Sequence, residues 1–434
     1  MRKIIVFALT QLLFLAACGG GGGSSLLGGS SSSSGSSSSG SGSSGSGSGQ
    51  TIANVNGTNA VAMEVDSGPS GASAQANIPY VSVTICAPGS TTNCQTFDHI
   101  EVDTGSYGVR IISSVVNSTL LAALTPETAA AGGNLVECTM FGDGYSWGSM
   151  RVADVEIGTE KASSQSIQII GDQDSLNNVP SACSSTVPNQ EDTVPEFGAN
   201  GIIGLGPFVT DCGNCTESIE NAIYWGCPSS GGSCTQTLVT TAQEASNPVA
   251  AFAQDNNGVI LELPAIAAAG ATTANGTLVF GVGTQSNNGL GSATVLTTDD
   301  SGFINSVYKG VTYTQAFIDS GSNLNFFNDS SIASCTNSGN SYYCPTSTVT
   351  EMVEEQGVTA SGGIGNEESV TFSVVDPSTL SGSYAAFNDV AAPFSATTDT
   401  TDFDLGIPFF YGHNVFTVIQ GMNTPGGVGP YFAF

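Results

Sequence analysis

Along most of the chain, apolar residues come in short runs that alternate with polar ones and are cut by Gly, Asn and Pro. Runs of this length, rich in β-branched and aromatic residues, predict strands rather than helices. The stretch HIEVDTGSYGVRI (99–111) shows the pattern well. Ile100 and Val102 alternate into it, and Val109, Ile111 and Ile112 follow. A buried strand, a turn and a second apolar strand are expected. Strongly periodic helical segments are scarce and 56 glycines punctuate the chain, so the expected class is all-β. Asp103 is out of place: it closes an apolar run, where a lone carboxylate is costly unless something satisfies it.

The N-terminus follows a different grammar. MRKIIVFALTQLLFLAAC (1–18) has a basic start at Arg2 and Lys3, an apolar run over Ile4–Leu15 and small residues before Cys18. It is too short for a comfortable membrane span and reads as an export signal. Leu15-Ala16-Ala17-Cys18 resembles the bacterial lipoprotein box, which implies lipidation of Cys18 and a bacterial membrane as partner. Gly19 in place of Asp leans towards the outer membrane. Residues 19–50 are Gly and Ser apart from Leu26, Leu27 and Gln50. This is a flexible tether with an end-to-end distance of roughly 30 Å. Residues 51–70 are taken as an N-terminal segment open to disorder.

Charge narrows the class of partner. The formal net charge is -30, from 36 acidic residues against 6 Lys and Arg. No basic patch can form, so nucleic acid is excluded as a partner. Of the eleven cysteines, ten remain beyond Cys18, an even number in an exported chain and hence a set of disulfides. Cys86–Cys94 and Cys335–Cys344 are close enough to staple one loop each, and Cys138–Cys183 follows by elimination. Cys212, Cys215, Cys227 and Cys234 supply two more bridges, with three connectivities open. Two histidines and no tight carboxylate cluster argue against a catalytic metal; no cofactor is called for.

The tripeptide Asp-Thr/Ser-Gly occurs four times, at Asp66, Asp103, Asp300 and Asp319. Gly68-Pro69 stops a strand after Asp66, and Asp300 sits in a polar turn. Only IEVDTGSYGVRII (100–112) and AFIDSGSNLNFF (316–327) have apolar strand on both sides. They are near-copies half the chain apart, which suggests a duplicated lobe whose two loops meet and whose carboxylates face each other. Two touching carboxylates cannot both ionise, so they share a proton and titrate as a pair. One can take a proton from water while the other donates to a carbonyl oxygen. Asp103 and Asp319 are therefore the candidate catalytic pair. Gly105 and Gly321 allow the tight turn, Thr104 and Ser320 can brace the loops, and Ser106 and Ser322 can bond the carboxylates.

These residues resemble the pepsin-like aspartic proteases, and the likeness extends over about residues 75–434. The flap hairpin of that family is matched by Phe141-Gly142-Asp143-Gly144-Tyr145, with Tyr145 or Trp147 available for the flap role. The apolar-apolar-Gly segments behind each Asp loop are matched by Gly201–Gly206 and by Asp404-Leu405-Gly406. The resemblance implies a bilobal β fold with a central cleft, a first lobe over 71–248 and a second over 249–434. It further implies a monomeric endopeptidase acting on peptides or proteins, with an acid optimum and a preference for apolar side chains. The whole also looks like a bacterial lipoprotein group without assigned function. Two positions depart from the family: Phe141 lacks the flap hydroxyl, and Arg110 stands where a tryptophan partners it. A Cys-rich insertion spans 207–246. The same residues admit two rival readings. Gly144–Gly148 fits a G-x-S-x-G nucleophile elbow, but a strand follows it where a helix is needed. A catalytically inactive surface lipoprotein that binds peptides is the other.

Overall fold

The computed structural model describes residues 50–434, apart from 56, 74, 131, 143, 173–178, 185–188, 220–221, 229–231, 338–339 and 395–400. The expected signal, tether and Cys18, and Asp143 of the flap, lie outside the described residues. The fold is all-β. No helix among the described residues is long and apolar enough to cross a membrane.

Period-two alternation sets the strands. In Pro79–Cys86 the side chains of Val81, Val83 and Ile85 are buried while Ser82 is exposed, as a strand with one face on a core requires. It pairs antiparallel with Cys94–Asp103, and the Cys86–Cys94 disulfide closes that hairpin. Gly201–Leu205, buried at every position, lies between Cys94–Asp103, to which it is parallel, and Tyr107–Ile112, to which it is antiparallel. An unbroken apolar run suits a strand covered on both faces. It fixes both limbs of the Asp103 loop.

The Asp319 loop is held in a similar way. Val311–Ile318 runs parallel to Asp402–Leu405, and Phe326 of the outgoing limb pairs with Asp404. These strands belong to a sheet that continues through Ile304–Tyr308, Val349–Val358 and Ile364–Val374. A single apolar core includes Val102 and Ile203 beneath the first loop and Ile318 and Leu405 beneath the second.

The segment 51–70 departs from expectation. Ala60–Val65 is a strand that pairs with Ala274–Phe280, which continues through Gly258–Glu262 to Asn414–Val418. Met63 and Val65 are buried and Glu64 is exposed, so the short alternation AVAMEV is what ties the N-terminus into the sheet. Gln50 also bonds the carbonyls of Leu263 and His413.

The disulfides are Cys86–Cys94, Cys138–Cys183, Cys212–Cys215, Cys227–Cys234 and Cys335–Cys344. The four cysteines left open thus pair as sequence neighbours. Within 207–246, read in the sequence as an insertion, Tyr224–Cys227 pairs with Asn134–Met140 and widens the sheet at the expected flap.

Candidate active site

The two Asp loops bond to each other reciprocally. The Thr104 amide donates to Ser320 Oγ at 3.1 Å, and the Ser320 amide donates to Thr104 Oγ1 at 2.9 Å. Each hydroxyl then donates onward to the strand below the opposite loop: Ser320 to the Val102 carbonyl at 2.7 Å, Thr104 to that of Ile318 at 3.4 Å. All of this is buried, where a satisfied polar network rigidifies a core.

Each loop turns back on its own aspartate. Gly105 N–H donates to Asp103 Oδ1 at 2.7 Å, and Gly321 N–H to Asp319 Oδ1 at 2.8 Å. The glycines also make room for the opposite carboxylate. A Cβ on Gly105 would lie 2.3 Å from Asp319 Oδ2, and one on Gly321 would lie 2.5 Å from Asp103 Oδ1. The two carboxyls are hydrogen-bonded to each other, and the Asp319 carboxyl is held well above the usual carboxylate range. Burial is the main cause, followed by the charges of Asp103 and Asp404. One shared proton on the pair follows from like charges this close.

The supporting serines differ. Ser322 Oγ reaches Asp319 Oδ2 only at 3.4 Å, a weak contact, and Ser106 Oγ is buried without a hydrogen-bond partner. The expected bond from Ser106 to a carboxylate is therefore not formed.

The pair lies on a cleft of about 1390 Å³. Phe141 and Gly142 line it at the flap tip, where the Phe141 amide closes the turn on the Gly144 carbonyl. Phe141 packs edge-on against Phe197, with ring centroids 5.6 Å apart. The two candidates for the flap role point elsewhere: Tyr145 donates to Gln190, and Trp147 is fully buried against Trp225. Gly144 abuts Glu191. Ser146 lies in the strand Tyr145–Ile157 and donates to the Glu191 carbonyl, so it is no nucleophile elbow.

Arg110 is buried, 1% exposed. Its Nη2 meets Glu137 at 2.5 Å and Asp211 at 3.0 Å, Nε donates to Thr139 at 2.8 Å, and Nη1 to the Tyr107 carbonyl at 2.6 Å. Tyr224 donates to Asp211 Oδ1 at 2.8 Å. Arg110 thus ties the start of the Cys-rich insertion to the flap strand and the Asp103 loop. Val209 and Ile219 of that insertion are exposed in the cleft wall.

Sequence reasoning missed two residues. Tyr107, directly after Asp-Thr-Gly-Ser, lines the cleft beside Phe208; its phenol is pushed up by burial and by the charges of Asp103 and Asp319. Asp404, placed by the sequence in an apolar-apolar-Gly segment, is an acid and is fully buried. Among the described residues, one group brings three ligand-type atoms together: Cys335, Cys344 and Asp376. Its two sulfurs are already joined as a disulfide.

The fold and site define an all-β protein with two aspartates facing each other on a cleft. The chain belongs to the family described as "Protein of unknown function (DUF3443)", whose model matches residues 55–434. No curated protein matches it. Among solved structures it is similar to the aspartic proteinase from Irpex lacteus, at 14% identity and a TM-score of 0.46, over 86% of this chain and 96% of that chain.

Proposed function

We propose that this protein is a lipid-anchored, extracytoplasmic aspartic endopeptidase of two pepsin-like lobes, with Asp103 and Asp319 as its catalytic pair. The reading is carried by one observation: two Asp-Thr/Ser-Gly loops, bonded reciprocally, present hydrogen-bonded carboxyls on the floor of a long cleft. A water held between them loses a proton to the ionised carboxylate and attacks the peptide carbonyl carbon. The protonated carboxyl donates to the carbonyl oxygen. When the tetrahedral intermediate collapses, the C–N bond breaks and the nitrogen takes a proton from the pair. No covalent bond to the protein forms. The flap limits bulk water at the reacting atoms. Cys18 supplies the lipid anchor, and residues 19–50 hold the body away from the bilayer.

The cleft also suggests what it takes. Phe208, Phe303, Phe317 and Phe394 give apolar surface for side chains beside the scissile bond, while Glu101, Glu191, Asp300 and Asp402 give it negative charge. Among the described residues that line it, Arg110 is the only cation, and it is already paired. Peptides combining apolar and basic residues fit this surface.

The test uses the full chain with Asp103→Asn and Asp319→Asn, each checked for folding. Cleavage of an unfolded protein is followed from about pH 2.5 to about 7.5, the range over which a carboxyl pair changes charge. Wild-type cleavage that both folded variants lack supports the reading. Wild-type inertness across the range rejects it. The second reading, a peptide-binding protein without turnover, draws on Phe141, whose ring packs on Phe197 and offers the cleft no hydroxyl. It predicts peptide binding by an inert wild type.

A further inference from the structure

Asp404 is a buried acid of the site that the proposed reaction does not use. The two Asp-bearing strands show how unusual its place is. Before Asp103, Val102 faces Ile203 and Glu101 faces Ile202 on the parallel neighbour. Before Asp319, Ile318 faces Leu405 and Phe317 faces Asp404. Asp404 therefore occupies the position that Ile202 holds in the first half. Ile202 is 3% exposed and Asp404 0%.

No hydrogen bond of ordinary geometry reaches either carboxyl oxygen of Asp404. The Ser322 hydroxyl stands beside it and favours its charged form, but burial outweighs this and holds the acid well above the usual carboxylate range. The charged groups facing it are Asp319 on the loop after its partner strand, Asp103 on the opposite loop, and Asp402 on its own strand. Asn325 and Phe326, on the third strand packed there, carry no titratable group. Among the described residues, the Lys and Arg side chains are Arg110, Arg151, Lys161 and Lys309, and all four are paired with other carboxylates.

We propose that Asp404 is a positioning residue for the acid pair, a third carboxyl that takes the site's second negative charge and so lets Asp103 and Asp319 keep their shared proton to higher pH. The first ionisation charges the pair once and prepares it for reaction. A second ionisation has two possible places. On the pair, it would set two charges on hydrogen-bonded carboxyls. On Asp404, the charges are farther apart, and their repulsion falls with distance. The proton that leaves is then the one on Asp404, and the pair stays competent. The kinetic part of this inference rests on the peptidase reading; the titration itself does not.

The experiment compares the full wild-type chain with Asp404→Asn and Asp404→Ile, the latter carrying the residue that the first half has at this position. The alkaline limb of kcat/KM is expected to fall by about one pH unit or more in both variants, a loss of about tenfold just above it. The acid limb stays in place, because Asp404 is neutral there. A merely structural role would lower kcat at all pH values without moving one limb. Unmoved alkaline limbs in folded variants overturn the proposal, as does a shift in Asp404→Asn without one in Asp404→Ile. If wild type cleaves nothing at any pH, the peptidase reading fails, and carboxyl-¹³C NMR of labelled aspartate decides this one. The upper titration midpoint of the Asp103–Asp319 pair is expected to drop in both variants; an unchanged midpoint overturns the inference.

Discussion

The two aspartate loops use nearly the same residues and grip each other by the same bonds, yet their surroundings differ. The place that Arg110 takes after Asp103 is taken after Asp319 by Phe326. Arg110 sits among Glu137, Asp211, Thr139 and the Tyr107 carbonyl. Phe326 packs on Phe394 with centroids 6.0 Å apart. Behind the first loop stands Ile202, and behind the second Asp404. Whatever faces the other loop is held alike in both halves, while whatever faces outward has gone two ways. The reciprocal contacts require both loops to keep one geometry; the outer shell only has to fill space and satisfy its own polar groups.

The largest effect expected is loss of activity when that shared geometry is disturbed. Gly105→Ala and Gly321→Ala would each set a methyl within 2.5 Å of the opposite carboxylate. Backbone on one side and a bonded carboxyl on the other leave neither free to move aside. Each variant is expected to lose about 10³-fold or more in peptide cleavage, the range of general acid–base catalysis. Measuring kcat/KM beside thermal stability checks this. A loop that tolerates the methyl while the other does not would show that the two are not equivalent.

Next comes stability in the outer shell, where the halves should differ. Arg110→Met leaves Glu137 and Asp211 buried beside each other without their cation, at a cost of about 3–5 kcal/mol. Phe326→Leu, which trims a ring packed on Phe394 and strips no buried charge of its partner, should cost less, about 1–2 kcal/mol. Denaturant midpoints of the two variants give the comparison. Equal losses would mean that Arg110 is no more than packing.

These differences also mark what the sequence disclosed. Alternation and the spacing of turn residues made the all-β class legible, and apolar flanks singled out Asp103 and Asp319 among four similar tripeptides. The grip of Thr104 and Ser320 followed from residue type and position. The bond expected of Ser106 did not form, because where a hydroxyl points is set by the turn and its packing. Tyr145 carried the right group, but its strand register directs it to Gln190. The role of Arg110 depended on Glu137 and Asp211, distant in sequence and adjacent only after folding. The strand Ala60–Val65 was short, and its partner lay far along the chain. Asp404 was visible as an acid in an apolar segment, but its nearness to the pair was not.

The halves can also be compared through pH. Glu355 in the second half is pushed up to about 8 by burial; Ser306 donates to one oxygen at 2.6 Å and the other has no partner. Glu244 in the first half is pushed up to about 7, again by burial. Both bind a proton more tightly folded than unfolded, where the value is 4.5. Their contribution is fully present below about pH 4.5 and is lost as pH rises through the folded values. Asp329 acts in the opposite sense. Burial raises it, but Lys309, Ser331 and Tyr308 bring it down from 3.8 to about 2, so its contribution is full above about pH 3.8 and is lost as pH falls from there through about 2. Tm is therefore expected to be highest between about pH 4 and 4.5, to fall at lower pH as Asp329 is protonated and to decline towards pH 8. Glu355→Gln should remove more of that decline than Glu244→Gln and over a wider pH window. A Tm that rises from pH 4.5 to 8 would contradict the sign of both.

The smallest expected effect concerns the cleft's rim, to which Glu191 of the first half and Asp300 of the second both contribute. Asp300 is exposed and Glu191 half-buried; carboxylates so placed steer a charged ligand more than they bind it, and salt weakens that steering. Two peptides that differ only in Lys or Glu flanks around one apolar centre should differ by about 5- to 10-fold in kcat/KM at low salt, and by about twofold at high salt. Binding to the Asp319→Asn variant gives the same comparison without turnover. Glu191→Gln and Asp300→Asn should each remove part of the preference, slowing the Lys-flanked peptide and speeding the Glu-flanked one. If one variant removes all of it, the charge that matters sits on that half alone. If salt has no effect on either peptide, the rim does not select by charge, and the phenylalanines of the cleft are left to set its preference.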